Sequence, residues 1–308
     1  MLFKQIQLFD IKTRLATAAE NIATQLHDFA FHPCFASSPI SMGWVSPLEE
    51  DDAPLAIGLQ NCIMICLQIE KKILPNSVIN DALKTKIKEV EKQEGRKIRQ
   101  KEKLSYKEEV TQTLLPRAFS KYTKIFAYID IKHKWLVLNT TNPAQTELFL
   151  SLFKKSIAES IAPIDTLKPS LILSDWLMNH SNPTSFSVQK ACVLQDPQQE
   201  NRVIRATQQD LFAPGIQALL KEGCQAIQLA CCWQDRIHFT ITQPFQLRSL
   251  KYASDELSEI SDQIDTVRQK FSTDFILMVE SLTQLIKDLL EIFETGKQTK
   301  KEKLALVG

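Results

Sequence analysis

A short basic stretch is the first feature of this sequence that could do chemistry. Residues 94–105 read EGRKIRQKEKLS and hold two carboxylates, whereas the 308-residue chain has a formal net charge of only +1. The cations of the stretch are Arg96, Lys97, Arg99, Lys101 and Lys103. Because the overall excess is so small, a site for a polyanion must be made by segregating charge. This stretch segregates it.

A single helix over residues 78–103 would extend the basic stretch into a stripe. Spacings of three and four residues place six cations on one face, opposite apolar residues between Ile79 and Val90. They are Lys84, Lys88, Lys92, Arg96, Arg99 and Lys103. The stripe would be roughly 28 Å long at about 1.5 Å per residue, enough to follow several phosphates of a duplex. The pattern alone leaves open a solvated helix face, since carboxylates such as Glu89 and Glu91 lie nearby. It also leaves open a break of the helix at Gly95.

The elements around this stripe predict an α+β fold, because helices and strands mix without regular βαβ alternation. Strands are expected at 2–9, 62–69, 124–130 and 134–140, and a hairpin at 224–233 and 236–243 that turns on Gln234 and Asp235. Helices are expected at 14–28, from Asn76 or Ser77 to 93 or beyond, at 106–115, at 145–160 and at 273–293. Ser105 and Glu108 fit a capping box for the third of these helices. We expect two lobes: residues 1–160, carrying a basic helical arm (76–118), and residues 161–308, ending in a long helix and a basic tail.

Catalytic signatures are sparse. Seven glycines form neither a GxGxxG pattern nor a Walker loop, and five histidines form no HxxxH or HExxH pair, so no cofactor and no metal site are expected. Glu70 and Lys72, with Asp51 and Asp52 upstream, could hold Mg²⁺ as some nucleases do. Charges at the end of an apolar strand more often meet water, so the sequence favours a protein that is not an enzyme.

The chain reads as cytoplasmic and without membrane contact. Its first ten residues are too short and too polar for a signal peptide, and no apolar run approaches the roughly 20 residues that span a bilayer. The seven cysteines are odd in number and form no CxxC pair. We expect them to be reduced thiols, mostly in the core.

Several short segments resemble the recombination-associated RdgC family of bacteria. The strongest is LLPRAFSKYTKIFAYID at 114–130, with FHPC at 31–34, MGWVSP at 42–47, EKKILP at 70–75, VIRATQQDL at 203–211, WQDRI at 233–237 and DFILM at 274–278. The segments occur in family order over essentially the whole chain. The resemblance implies a ring-shaped α+β homodimer that encircles duplex DNA through a positively charged hole, without catalysis and with little sequence preference. It further implies a cytoplasmic, nucleoid-associated protein that antagonises RecA in recombination and assists replication fork repair.

The resemblance also implies roles for particular residues. Phe119 matches the aromatic residue that closes the ring where two subunits meet, and Arg96, Lys97 and Arg117 match basic positions. Gln100 and Lys101 differ from the family residues at these positions, but the arm as a whole stays basic. In the segment that reaches toward DNA, Arg205, Gln208 and Gln209 are the expected contacts, although Thr207 and Gln208 stand where a relative has lysines. Binding to single-stranded DNA, direct contact with RecA as a protein-interaction module, and the Mg²⁺ nuclease remain the alternatives.

Overall fold

The computed structural model describes residues 2–12, 18–48, 50, 52–157, 160–199, 201–253 and 266–305. All twelve strands join one antiparallel sheet with the main order β2-β4-β5-β6-β1-β12-β11-β10-β8-β9, while β3 pairs with β4 and β7 with β1. The strands are β1 (Ile6–Ile11), β2 (Ile40–Val45), β3 (Ala56–Leu59), β4 (Cys62–Ile73), β5 (Phe119–Asp130), β6 (Trp135–Leu138), β7 (Ile161–Pro163), β8 (Phe186–Gln195), β9 (Val203–Thr207), β10 (Gln225–Trp233), β11 (Ile237–Thr242) and β12 (Gln246–Tyr252). This mixed architecture confirms the predicted α+β class.

Helices cover both faces of the sheet and form one projecting arm. They are α1 (Ala19–His27), α2 (Asn76–Glu94), α3 (Gln100–Leu114), α4 (Pro143–Ile157), α5 (Pro169–Asn179), α6 (Pro214–Lys221) and α7 (Val267–Ala305). A 3₁₀ turn at Leu115–Arg117 leads from α3 into β5. Within the described residues, no helix is both long and apolar enough to cross a bilayer.

Two apolar clusters lie on opposite faces of the sheet, because successive strand residues point to opposite sides. In β4, Ile63 and Ile65 join the cluster that α1 and α4 cover, whereas Cys62 and Met64 join the larger cluster built around α7. The larger cluster also takes residues from β8, β10, β11 and β12, so α7 packs on both predicted lobes. The long helix is therefore a core element. The lobe boundary at residue 160 remains a prediction.

The hairpin and the thiols agree with the sequence analysis. Gln234 and Asp235 have φ values of 48° and 54°, which is the geometry of the two central residues in a type I′ turn between β10 and β11. Six of the seven cysteines are buried free thiols and Cys34 is half-buried. Burial raises the pKa of the Cys192 thiol to about 11. Such a thiol stays protonated at neutral pH.

Two predictions about the arm are wrong. The basic stretch is not one helix from 78 to 103, because Gly95 takes a left-handed conformation (φ 66°) and ends α2. The next helix begins at Gln100 and not at 106, so Ser105 and Glu108 lie inside α3 and do not cap it. Glycine is the residue that adopts this backbone conformation without steric cost, and it commonly ends helices in this way.

Some sequence-predicted segments lie outside the described residues. The sequence has two acidic runs, residues 49–52 and the five carboxylates between 255 and 265. Glu49, Asp51 and the whole second run fall outside the described residues. So do residues 13–17, where the first helix was expected to begin. For the basic tail at 297–303, the structure describes only the backbone of α7.

Candidate nucleic-acid interface

The turn between α2 and α3 is held by ion pairs and by the buried side chain of Ile98. Arg96 binds Glu102 through two hydrogen bonds, at 3.0 Å from Nη1 and 2.6 Å from Nη2, and Nη2 also lies 2.8 Å from Glu94. The Glu102 carboxylate accepts a further bond of 2.8 Å from the backbone N–H of Arg99, and Glu91 accepts one from Ile98. Arg96 therefore holds the turn together.

These contacts shift the pKa values of the partners. The hydrogen bonds from Arg96 and from the Arg99 N–H lower the pKa of the Glu102 carboxyl to about 2. The hydrogen bond and the charge of Glu102, together with Glu94, raise the pKa of Arg96. Both groups therefore stay charged throughout the physiological range. One of the five cations in residues 94–105, Arg96, is thus already paired within the chain.

The remaining cations of the arm face solvent. Lys84 pairs with Asp81 at 3.1 Å, whereas the described residues contain no carboxylate within 4 Å of the ammonium groups of Lys88, Lys92, Lys97 or Lys101. Those four lysines, with Arg99 and Arg117, are exposed, and Lys103 is half-buried. Because α2 and α3 fold back on each other, these charges form two shorter surfaces. They do not form one continuous stripe.

The second predicted DNA-contacting segment lies elsewhere on the sheet. Arg205 is on the edge strand β9, and Gln208 and Gln209 follow it in an exposed turn where Gln208 has φ 56°. Six strands separate β9 from β5, roughly 34 Å at about 4.8 Å per strand. One chain therefore presents the arm and the β9 turn as two separate surfaces.

Phe119 stands at the end of the sheet where the arm joins it. It is the first residue of β5, it lies opposite Ile73 of β4, and 84 % of it is exposed. Ile73 itself is 48 % exposed. An aromatic side chain this exposed next to another exposed apolar residue is typical of a contact surface. The alternative of an ordinary core phenylalanine is therefore ruled out for this chain.

Sequence reasoning missed two lysines beside Phe119. Lys71 and Lys121 lie directly opposite each other in the β4–β5 pairing. They are two residues along each strand from Ile73 and Phe119, and therefore on the same face of the sheet. Both are exposed. Fifty positions separate them in the chain, so only the strand register brings them together. The recurring lysines of EKK and SKYTK were the available signal.

The suggested nuclease residues have structural roles. Glu70 is buried, and its carboxylate accepts hydrogen bonds from the Ser120 hydroxyl and, at 2.7 Å, from the backbone N–H of Cys34. These bonds, chiefly that from Ser120, lower its pKa. Lys72 lies 3.9 Å away. Among the described residues there is no group of three or more His, Cys, Asp or Glu side chains able to hold a metal ion, and Asp51 lies outside them.

Comparison with known proteins identifies the family. Residues 1–296 match the family model described as "Putative exonuclease, RdgC". The chain belongs to the RdgC family. It is 33% identical over 293 residues to the recombination-associated protein RdgC of Yersinia enterocolitica, which covers 94% of this chain and 96% of the relative. The RdgC proteins of Yersinia pestis and Yersinia pseudotuberculosis give the same identity and coverage.

Family membership over nearly the full length confirms the resemblance drawn from the short segments. Two of those segments meet in the structure, because Gly43 of MGWVSP lies against the backbone of Phe31 of FHPC. A Cβ at position 43 would fall 2.4 Å from the Phe31 Cα. The N–H of Phe31 donates to the carbonyl of Trp44, and the N–H of Trp44 donates to the carbonyl of Phe29. The two segments therefore run side by side, in close backbone contact, at the edge of the sheet.

Proposed function

We propose that this chain is a DNA-binding protein of recombination that acts as a homodimeric ring around duplex DNA and reads no sequence. The observation that carries the proposal is the combination of exposed, unpaired cations on the arm with the exposed Phe119 at its base. The cations would meet phosphates wherever the duplex lies, so base edges need not be read. Phe119 would contact the second subunit.

The function in the cell follows from encirclement. A ring on duplex DNA would obstruct RecA loading or strand exchange and would accompany the nucleoid in the cytoplasm, where it would assist replication fork repair. The relatives are named recombination-associated proteins, which supports a role in recombination. Single-stranded DNA is the second ligand to test, because phosphate contacts occur on both forms of DNA.

Binding to closed circular duplex, compared with the same DNA after linearisation, tests the ring. Wild type and Phe119→Ala are bound to each form and washed at high salt. We expect wild type to remain on circles and to slide off linear ends, and the variant to leave both. If salt removes both proteins equally from both DNA forms, the protein binds as a surface patch and the ring proposal is wrong.

The salt dependence of affinity tests the electrostatic part separately. Each neutralised phosphate contributes about −0.9 to the slope of log Kobs against log salt, so we expect a slope of several units. A flat dependence would contradict DNA binding through the arm. Competition by heparin but not by duplex DNA would instead favour a module that binds an acidic protein, such as RecA itself.

The exonuclease in the family description gives the enzyme alternative a direct test. Digestion of labelled DNA with Mg²⁺ is compared for wild type and Glu70→Gln. We expect no digestion by either protein, because the hydrogen bonds from Ser120 and Cys34 occupy both oxygens of the Glu70 carboxylate. Mg²⁺-dependent digestion that disappears in the variant would establish the enzyme instead.

A further inference from the structure

The end of the β4–β5 pairing carries a concentrated positive charge that the sequence does not reveal. Lys71 faces Lys121 across one side and Ile40 of β2 across the other. Directly opposed residues in an antiparallel pair have Cβ atoms about 4.5–5.5 Å apart, and like charges in that position are destabilising. The pairing of Lys71 with Lys121 therefore lowers the stability of the folded chain.

Nothing in the described part of the chain neutralises this pair. No described carboxylate lies within 4 Å of either ammonium group. The neighbouring Glu70 points to the other face of the sheet, where it accepts bonds from Ser120 and Cys34 and lies 3.9 Å from Lys72. Within the described residues, Lys71 and Lys121 therefore have no counter-charge.

The strands beneath the pair make its position rigid. Two residues further along β4 and four along β5, on the same face, Ile69 and Ile125 are buried in the apolar cluster under α1 and α4. Arg117, exposed at the end of the 3₁₀ turn, adds a third cation close to the same end of β5. Two lysines whose backbone positions are fixed side by side are suited to a ligand with closely spaced, permanent negative charges.

We propose that Lys71 and Lys121 bind the phosphate backbone of duplex DNA and form a contact surface on the sheet that is separate from the arm. Lysine binds phosphate as a point charge, and the flexible side chains of two directly opposed lysines can reach one phosphate or two neighbouring ones. Since Phe119 lies two residues before Lys121 on the same face of β5, the bound backbone passes beside the subunit contact. The inference rests on the proposed function and adds the residues that guide DNA past that contact.

The test uses the full chain with Lys71→Gln/Lys121→Gln and a matched control, Lys154→Gln/Lys155→Gln, which removes two exposed lysines from α4. Affinity for duplex DNA is measured by fluorescence anisotropy over a series of salt concentrations. Loss of two phosphate contacts should flatten the log–log slope by about 1.8 units and weaken binding by roughly tenfold to a hundredfold at 0.1 M salt. The control should keep the wild-type slope.

Lys121→Glu separates a binding effect from a folding effect. The new carboxylate would face Lys71, so we expect the thermal midpoint to stay the same or rise while DNA affinity falls. A lower midpoint together with weaker binding would mean that the substitution disturbs the strand, and would overturn the account of an uncompensated pair.

The outcomes also separate this inference from the function on which it rests. If wild type shows a steep slope and the double variant shows the same slope, the sheet surface is not a DNA contact, although the DNA-binding proposal stands. If the variant and the α4 control flatten the slope equally, the effect is general charge and the inference is wrong. If wild type itself shows no salt-dependent DNA binding, both proposals fail.

Discussion

The arm and the end of the sheet both carry excess positive charge, but different forces hold them in place. The arm, residues 76–114, has ten cations and seven carboxylates, and the described contacts include ion pairs at both of its helices. Its helices bury little, chiefly Ile79 in α2 and Val110 in α3. The sheet end, residues 68–73 and 117–124, has five cations against the single carboxylate of Glu70 and stands on a buried apolar face.

This difference separates charge that shapes the protein from charge that is available to a ligand. In the arm, Arg96 and Lys86 are occupied by Glu102 and Glu109, so removing them changes the arm itself. At the sheet end, the buried face of the strands sets the backbone position of Lys71 and Lys121, so removing them should weaken binding without lowering stability. Substitutions of the paired arm residues should therefore change structural measurements, whereas substitutions at the sheet end should change DNA binding.

Reversing two unpaired charges of the arm should have the largest effect. Lys97→Glu/Lys101→Glu removes two exposed cations that no described carboxylate contacts and adds two like charges near the phosphates. We expect DNA affinity at 0.1 M salt to fall by about a hundredfold, equally for all sequences, with an unchanged far-UV circular dichroism spectrum. A loss confined to one DNA sequence would indicate specific readout instead.

A substitution under the sheet end should cost stability without touching any charge. In Gly43→Ala, the new Cβ would lie 2.4 Å from the Cα of Phe31. A backbone atom cannot move aside as the end of a flexible side chain can. We expect the free energy of unfolding to drop by about 1–3 kcal/mol, measured by urea denaturation. Gly215→Ala, in α6 with nothing within 4 Å of the added Cβ, is the matched control and should be neutral or slightly stabilising. Equal midpoints for both variants would show that the close contact between position 43 and the Phe31 backbone can relax.

Removing the central ion pair of the arm should loosen only the turn. In Arg96→Gln we expect faster hydrogen exchange at the amides of Ile98 and Arg99, which donate to Glu91 and Glu102, with an unchanged midpoint of global unfolding. Lys97→Gln, one residue away and without a described ion pair, should leave these amides protected. Equal exchange in the two variants would mean that Gly95 and the backbone alone define the turn.

Acid should produce the smallest change in the arm. Because hydrogen bonds from Arg96 and the Arg99 N–H lower the pKa of Glu102 to about 2, its contribution to stability is present above its ordinary pKa near 4.5. That contribution is lost as the pH falls through about 2. An NMR titration of the Glu102 carboxyl should show a midpoint near 2 in wild type and a higher one in Arg96→Gln. A wild-type midpoint near 4.5 would contradict the paired turn.

The sequence predicted elements whose signals are local. The type I′ hairpin at Gln234 and Asp235, the buried strand that begins at Cys62 and the long helix around Phe275 follow from turn chemistry and apolar patterning in one segment each. At Gly95 the sequence left both a break and a continuous helix open, because glycine commonly ends helices whereas the regular spacing of the lysines favoured continuity. The role of Arg96 as a structural residue depended on contacts with Glu94 and Glu102 that charge counting treats as mere neutralisation.

Other features could not be predicted because they depend on register and not on composition. Lys71 and Lys121 form a pair only because Ile73 faces Phe119 in the β4–β5 ladder; a shift by one residue would put them on opposite faces. The strands β8 and β9 and the short helices α5 and α6 were not among the expected elements, and their buried residues join the larger apolar cluster. The sequence therefore predicted the arm of the candidate site, whereas the sheet end could be recognised only from the fold.

The packing of α7 has a consequence for how the chain folds. Its residues between Phe275 and Phe293 complete an apolar cluster that also contains Phe3, and the backbone N–H of Phe3 lies 3.1 Å from the Met278 sulfur, 275 positions away in sequence. Contacts of such high sequence separation slow folding, because the loop they close must be ordered first. On the ribosome, the face of the sheet that α7 covers stays exposed until the helix emerges. We therefore expect native structure to form after synthesis of the strands is finished, with chaperones shielding that face in the interval.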